Sequence, residues 1–158
     1  MLGACVPHDA PPAPTPAPVL RPVPALPPPP APAPPPADWQ TGPLSPGDWR
    51  YTPGPGASGA EFRSEGISFA MSCIGREIAF GLSGTMGPLI VRTSFGERRL
   101  PPVMIHSETL ARLPASDSLF DQMAFSRGRF LATVEGGPWL AVPAWPEIGR
   151  VIEDCRGQ

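Results

Sequence analysis

Residues 7–36 constrain this chain more than any other stretch, because they hold 16 of its 27 prolines. Proline lacks an amide donor and fixes φ, and each proline pushes the residue before it toward extended conformations. Neither a helix nor a sheet forms from such a run, which predicts an extended polyproline II segment. At about 3.1 Å per residue, we expect a disordered spacer that reaches up to about 90 Å.

The sequence divides into three parts around this tract. Residues 1–5 are a short stub, residues 6–47 form a Pro/Ala-rich disordered linker, and residues 48–158 have the composition of one small globular domain. The net charge is −2, so we expect no nucleic-acid partner. All 12 basic residues are arginine, which excludes lysine-dependent phosphate loops and Schiff-base chemistry.

Strand and turn patterns alternate through most of residues 48–158. Clean period-two alternation predicts a hairpin of strands 67–73 and 77–82. Ser116–Ser118 offer N-cap oxygens before a short helix at 119–125, and Pro146 begins a C-terminal helix at 146–155. Further short strands are predicted at 49–51, 88–94, 97–100, 103–106, 129–135 and 138–142, with 110–113 as either a strand or irregular chain.

These elements predict an α+β domain. We expect a mostly antiparallel sheet of about six to eight short strands, with the short mid-domain helix and the C-terminal helix packed on it. The alternative is a β-sandwich or small barrel with the helix as a lid. Gly54–Gly59 matches the dinucleotide pattern G-x-G-x-x-G, but Pro55 lies inside it and a strand-like segment follows, which predicts a loop.

The first residues resemble the lipobox of bacterial lipoproteins, on Leu2, Gly3, Ala4 and Cys5. In that family the signal peptide is cut before the cysteine, which then carries lipid. The resemblance implies that Cys5 is acylated and that the chain is anchored in the bacterial cell envelope, facing the periplasm. A basic and an apolar segment precede such a site, so we expect residues 1–5 to be a truncated signal peptide. If Met1 is the true start, the motif is accidental and the protein is cytoplasmic.

The second half resembles an uncharacterised family of exported, mainly alphaproteobacterial proteins. The resemblance lies in residues 117–125, in the SRGRF block at 126–130, and in the PAWPEI and VIEDCR blocks at 143–148 and 151–156. It implies export and a shared domain, and it implies no catalytic mechanism.

The three cysteines suggest a bridge. In an exported protein the odd cysteine needs an explanation, which acylation of Cys5 supplies. Cys73 ends a strand and Cys155 lies on the apolar face of the last helix, so the two can pair and clamp helix to sheet. Such a bridge stabilises by about 4 kcal/mol in the chain-entropy model. In a cytosol both would instead be buried free thiols. We predict the disulfide, conditional on export.

Few side chains of the domain suggest a catalytic or ligand-binding role. His106 is the one histidine of the domain, and no G-x-S-x-G motif accompanies it. Arg127 and Arg129 flank Gly128, and two guanidinium groups there could hold a carboxylate or phosphate, or pair with nearby acids. Trp139 and Trp145 either line a groove for a partner or seal the helix against the sheet. The spacing of His and Cys predicts no metal site, and no cofactor is predicted.

We therefore predict a non-enzymatic cell-envelope lipoprotein-like protein whose Pro-rich tether presents a small disulfide-linked domain. Its expected partners are the membrane, through lipid on Cys5, and an envelope protein. One alternative is a periplasmic hydrolase or small-ligand binder using His106, Arg127 and Arg129. Another is a cytosolic adaptor whose Arg21–Pro27 segment, an R-x-x-P-x-x-P match, binds an SH3-type groove.

Overall fold

The computed structural model describes Gly3, residues 34–55, residues 57–105 and residues 108–158. Within these residues the chain forms ten strands and two helices. The strands are β1 (Gly47–Thr52), β2 (Gly59–Ser64), β3 (Ile67–Ile74), β4 (Glu77–Leu82), β5 (Leu89–Thr93), β6 (Gly96–Leu100), β7 (Val103–Ile105), β8 (Glu108–Pro114), β9 (Arg129–Val134) and β10 (Leu140–Pro143). The helices are α1 (Ser118–Ala124) and α2 (Pro146–Arg156). The predicted α+β fold with a mid-domain and a C-terminal helix is confirmed.

The strands form two antiparallel sheets rather than one. The six-stranded sheet has the order β1-β2-β3-β4-β8-β7, and the four-stranded sheet has the order β10-β9-β5-β6. Neither order closes on itself, so the described strands form no closed barrel. The disordered Pro-rich segment predicted before the domain lies outside the described residues as far as residue 33.

A tight hairpin at the centre of the six-stranded sheet sets its register. Gly75 adopts a φ of 65° between β3 and β4, a left-handed conformation that glycine reaches without steric penalty. Cys73 then pairs with Ile78, and Phe69, Met71 and Cys73 all face the core. The predicted hairpin of 67–73 with 77–82 is confirmed.

Two strands of this sheet had weak sequence signals. The strand-like segment after Gly59 is β2, which lies between β1 and β3. Its buried residues are Ala60 and Phe62, and the small alanine weakens the alternation on which strand prediction depends. Residues 110–113, left open between strand and irregular chain, belong to β8. The G-x-G-x-x-G match leads into β2 and not into a helix, so the loop prediction is confirmed.

Aromatic rings fill the space between the two sheets. Phe69 on β3 meets Phe130 on β9 edge to face, with 5.2 Å between ring centroids. Phe80 on β4 makes the same kind of contact with Phe120 on α1, also at 5.2 Å. All four rings are fully buried, and such pairs contribute about 0.5–1.5 kcal/mol beyond the area they bury. The first pair joins the two sheets, and the second holds α1 against the six-stranded sheet.

Local signals begin both helices. Asp117 is the N-cap of α1, and its carboxylate accepts a hydrogen bond of 2.8 Å from the amide of Leu119. This bond satisfies one of the amides that a helix start leaves unpaired. Pro146 lies in the first turn of α2, where a missing amide loses no helical bond. The residues that α2 buries follow helical spacing, and they are Ile148, Val151, Ile152 and Cys155.

Residues 34–45 contact the outer face and edge of the four-stranded sheet. The amide of Ser45 donates to the carbonyl of Ala141 at 3.0 Å, and the amide of Ala141 donates to Ser45 Oγ at 3.0 Å. The ring centroid of Trp39 lies 6.0 Å from Cζ of Arg92, a residue of β5. Leu131 lies outside the central core cluster, yet it is only 1% exposed. This sheet is therefore covered on two faces.

Candidate functional site

The Cys73–Cys155 disulfide links the end of β3 to the last turn of α2. Its Cα atoms are 5.5 Å apart and its sequence separation is 82 residues. Both cysteines are buried, and the side-chain amide of Gln158 donates to the Cys73 sulfur at 3.3 Å. The predicted bridge is confirmed, and the C-terminal helix is covalently attached to the six-stranded sheet.

Arg127 and Arg129, the predicted anion-binding pair, have different surroundings. Arg129 is half-buried at the start of β9 and donates to the main-chain carbonyl of Gly42. Arg127 is exposed and forms no ion pair with any described residue. Its φ of 30° is strained for a residue with a Cβ, and Gly128 follows with a φ of 82°. The turn at residues 127–128 thus exposes the guanidinium of Arg127 alone, and anion binding there stays a prediction.

The acids near this turn have other partners. Asp117 pairs with Arg98 at 2.5 Å, and Asp121 pairs with Arg156 at 2.8 Å. Burial by itself would raise the pKa of Asp117, but hydrogen bonds from Arg98 and from the Leu119 amide outweigh it. The pKa of this carboxyl is therefore lowered, and it is charged at neutral pH.

Three exposed aromatic residues lie on the loops that meet at residues 126–128, and we term them together with Arg127 the Arg127 surface. Phe95 is 63% exposed, Phe125 is 73% exposed and Trp145 is 43% exposed. Large aromatic side chains and arginine are enriched where proteins bind one another. This composition is typical of an interaction surface.

Two hydrogen bonds hold the loops of the Arg127 surface together. The amide of Ser94 donates to the buried hydroxyl of Ser126 at 2.8 Å, which joins the β5–β6 turn to the end of α1. The amide of Ala144 donates to the carbonyl of Gly128 at 3.0 Å, which brings the start of α2 beside them. The aromatic side chains are thus carried by three loops that brace one another.

A groove of about 340 Å³ opens on the outer face of the four-stranded sheet. Trp39 and Trp139 both line it, and Leu131 and Ala141 line it from the sheet. The rest of the lining comes from Pro36, Asp38, Gly42, Pro43, Leu44 and Ser45. We term this the tryptophan groove. Trp139 therefore shares a groove with Trp39, while Trp145 belongs to the Arg127 surface.

Tyr51 and Asp154 line a shallow pocket of about 460 Å³ near the disulfide. The Tyr51 hydroxyl donates to Asp154 Oδ2 at 2.5 Å. This hydrogen bond, with burial and the negative charge of Asp154, raises the pKa of Tyr51, against the opposing effect of Arg150. A phenol held protonated in this way is unsuited to act as a general base near neutral pH.

Several predicted features lie outside the described residues. They are Cys5, His106 and the Arg21–Pro27 segment, and what was predicted for them stays a prediction. Within the described ranges, no group of three His, Cys, Asp or Glu side chains is placed to hold a metal ion. No helix in the same ranges has the length and hydropathy to cross a membrane.

Two positions of these surfaces had signals that sequence reasoning passed over. Phe125 is the C-cap of α1 rather than a helical residue, and a large apolar residue just before a glycine turn has no helix face on which to be buried. Trp39 lies in the stretch of residues 6–47 that composition predicts to be linker. A tryptophan a few residues beyond a proline run is, however, a signal that the chain there packs against the folded domain, because tryptophan is highly buried on average.

Comparisons with protein-family models, with curated proteins and with solved structures found no match for this chain. The resemblance to exported alphaproteobacterial proteins therefore remains an expectation from the SRGRF, PAWPEI and VIEDCR blocks. Function has to be argued from the disulfide and from the surfaces just described.

Proposed function

We propose that this protein is a non-enzymatic cell-envelope lipoprotein in which a Pro-rich tether presents a disulfide-linked domain. The observation that carries the proposal is the Cys73–Cys155 bond. Disulfides persist in oxidising compartments such as the bacterial periplasm and are rare in the cytosol. Of the three cysteines in the chain, the bond uses two, and the third is Cys5 in the lipobox-like motif.

Each part has a physical role in this proposal. Lipid on Cys5 anchors the chain, and several acyl chains hold firmly where one holds only marginally. Residues 7–36 keep the domain away from the bilayer, since a polyproline II run is a semi-rigid spacer. The Arg127 surface, with three exposed aromatic residues, then faces an envelope protein partner.

The test uses the native gene with the DNA upstream of Met1, expressed in its own host. We expect in-frame upstream codons for a basic and an apolar segment, labelled fatty acid on the protein, and recovery in the membrane fraction. The Cys5→Ser variant should lose label and anchor. A wild-type protein without label, or one whose Cys73 and Cys155 are both alkylated without prior reduction, would contradict the proposal.

A second candidate function, binding of a small anion, is supported by Arg127, which has no ion-pair partner among the described residues. Titration calorimetry with inorganic phosphate and with acetate tests it. Arg127→Ala should abolish any binding, whereas Arg50→Ala, which removes another exposed arginine, should leave it intact. Equal heats for the wild type and both variants would dismiss the site.

A further inference from the structure

We propose that the tryptophan groove binds the proline-rich segment Arg21–Pro27 of a second copy of this chain, so that neighbouring tethered domains associate through one another's tethers. The proposal goes beyond the anchoring function above, since it concerns contacts between copies and needs no lipid.

The groove has the chemistry that proline-rich segments require. Proline-rich ligands bind aromatic-lined grooves, and their extended conformation exists before binding, so little entropy is lost. Trp39 and Trp139 supply the aromatic faces, over the apolar side chains of Leu131 and Ala141. Pro36 of the same chain already forms part of the groove's lining.

Charge complementarity selects the part of the tract that binds. Asp38 lines the groove and is exposed, and its carboxylate forms no ion pair with a described residue. Arg21 is the one basic side chain in residues 7–36 other than His8. It stands at the first position of R-x-x-P-x-x-P, where such ligands place an arginine beside an acidic group.

The length and stiffness of the chain argue for a second copy rather than for the same molecule. Pro27–Pro30 are four consecutive prolines, and four of the following six residues up to Pro36 are proline. At about 3.1 Å per residue, the nine steps from Pro27 to Pro36 extend about 28 Å in one direction. A run of this kind resists reversal, so we expect Arg21–Pro27 to reach the groove of a neighbour more readily than its own.

The experiment uses the full chain with Cys5→Ser, which prevents both acylation and disulfide dimers through Cys5. Sedimentation velocity over rising concentration should show reversible association. Trp139→Ala should weaken the association about tenfold or more, because buried tryptophans dominate such contacts. Trp145→Ala is the matched control, since it removes an exposed tryptophan of the Arg127 surface, and association should be unchanged.

A second set of variants keeps the test valid if Trp139→Ala disturbs the fold. Asp38 is exposed, so Asp38→Arg should fold normally and still abolish association. Combining it with Arg21→Asp should restore association by exchanging the two charges. A synthetic peptide of residues 19–30 should compete with the association of the wild-type chain.

Three results would overturn the proposal. The first is a chain that stays monomeric at every concentration. The second is association that neither Trp139→Ala nor Asp38→Arg weakens. The third is a change in tryptophan fluorescence on Arg21→Asp that is independent of concentration in a monomer, since this result assigns the segment to its own groove. The protein carries no lipid here, so none of these outcomes depends on whether Cys5 is acylated in the cell.

Discussion

Strand β3 of the six-stranded sheet and strand β9 of the four-stranded sheet bury their side chains in different ways. In β3 of the six-stranded sheet, buried Phe69, Met71 and Cys73 alternate with side chains such as the exposed Ser72. In β9 of the four-stranded sheet, five consecutive residues from Phe130 to Val134 are buried. The difference teaches that β9 is covered on two faces, one by the core and one by residues 34–45, which composition alone assigns to a linker.

The covers of the two sheets are also attached differently. Helix α2 lies on the six-stranded sheet and is bonded to it through Cys73–Cys155. Residues 34–45 are held on the four-stranded sheet by hydrogen bonds such as that from Ser45 to Ala141 and that from Arg129 to Gly42. One cover is therefore covalent, and the other depends on individually weak contacts.

The largest expected effect comes from removing the covalent attachment. The double variant Cys73→Ser, Cys155→Ser should lower the free energy of unfolding by about 2–4 kcal/mol, because the open chain regains entropy when it unfolds. Urea denaturation measures the change, and Cys5→Ser serves as the control that should not differ from wild type. An unfolding midpoint that does not move on reduction would show that the bond adds nothing to the stability of the domain.

The next effect tests whether the outer face of the four-stranded sheet is a second core. Leu131→Ala should cost about 2 kcal/mol, since it empties a site that is 1% exposed. Ser72→Ala, on the open face of the six-stranded sheet, should change stability by no more than about 0.5 kcal/mol. Thermal and urea unfolding of the two variants give the comparison directly, and equal effects would erase the distinction between the faces.

A smaller effect comes from the ion pair that joins α1 to β6. Asp117→Asn should cost about 0.5–1 kcal/mol at neutral pH, because it removes the charge that Arg98 contacts. Because the pKa of Asp117 is lowered in the folded protein, its charged carboxylate stabilises the fold at pH values above the unfolded pKa of about 3.9. That stability is lost as the pH falls through the lower folded pKa.

Urea unfolding of wild type and Asp117→Asn from neutral to acidic pH checks this sign. The difference in stability should be full at neutral pH and should shrink below about pH 4. Asp121→Asn, whose partner Arg156 is also on the surface, is the matched control. A gap that widens on acidification would rule out the assigned role of Asp117.

The smallest change is a shift in titration at the junction of β1 and α2. Asp154→Asn should lower the pKa of Tyr51 toward its ordinary value, because the hydrogen bond to Asp154 is the largest cause of its rise. Tyr51 is the one tyrosine in the chain, so its ultraviolet titration is free of overlap. An unchanged midpoint would mean that the contact between Tyr51 and Asp154 does not persist in solution.

The sequence predicts elements well where the signal is local. Alternation in residues 67–73, the cap at Asp117 and the proline at 146 each depend on neighbours in the chain, and each is found. The division into two sheets depends on contacts such as Phe69 with Phe130, which no local pattern encodes. β9 has apolar residues on both faces because residues 34–45 cover its second face. Those residues are far from β9 in the sequence, so no local pattern identifies them as its cover.

Candidate sites follow the same rule. The Cys73–Cys155 bridge was predictable because few cysteines leave few pairings. The separation of Arg127 from Arg129 was not, because it depends on a left-handed φ of 30° at Arg127 and on the distant carbonyl of Gly42. The tryptophan groove needs Trp39 and Trp139 together, which are 100 positions apart in the printed sequence.

The disulfide also determines how the domain responds to mechanical load. When the chain is pulled between residues 34–45 and its C-terminal end, β1, β2 and most of β3 can be drawn out, but at Cys73 the tension crosses directly to Cys155. The chain between them, residues 74–154, is bypassed by the force. The four-stranded sheet, α1 and the Arg127 surface all lie within that interval. The load therefore does not reach them along the backbone. A domain stretched in this way loses its first strands while the surface it presents stays shielded from tension.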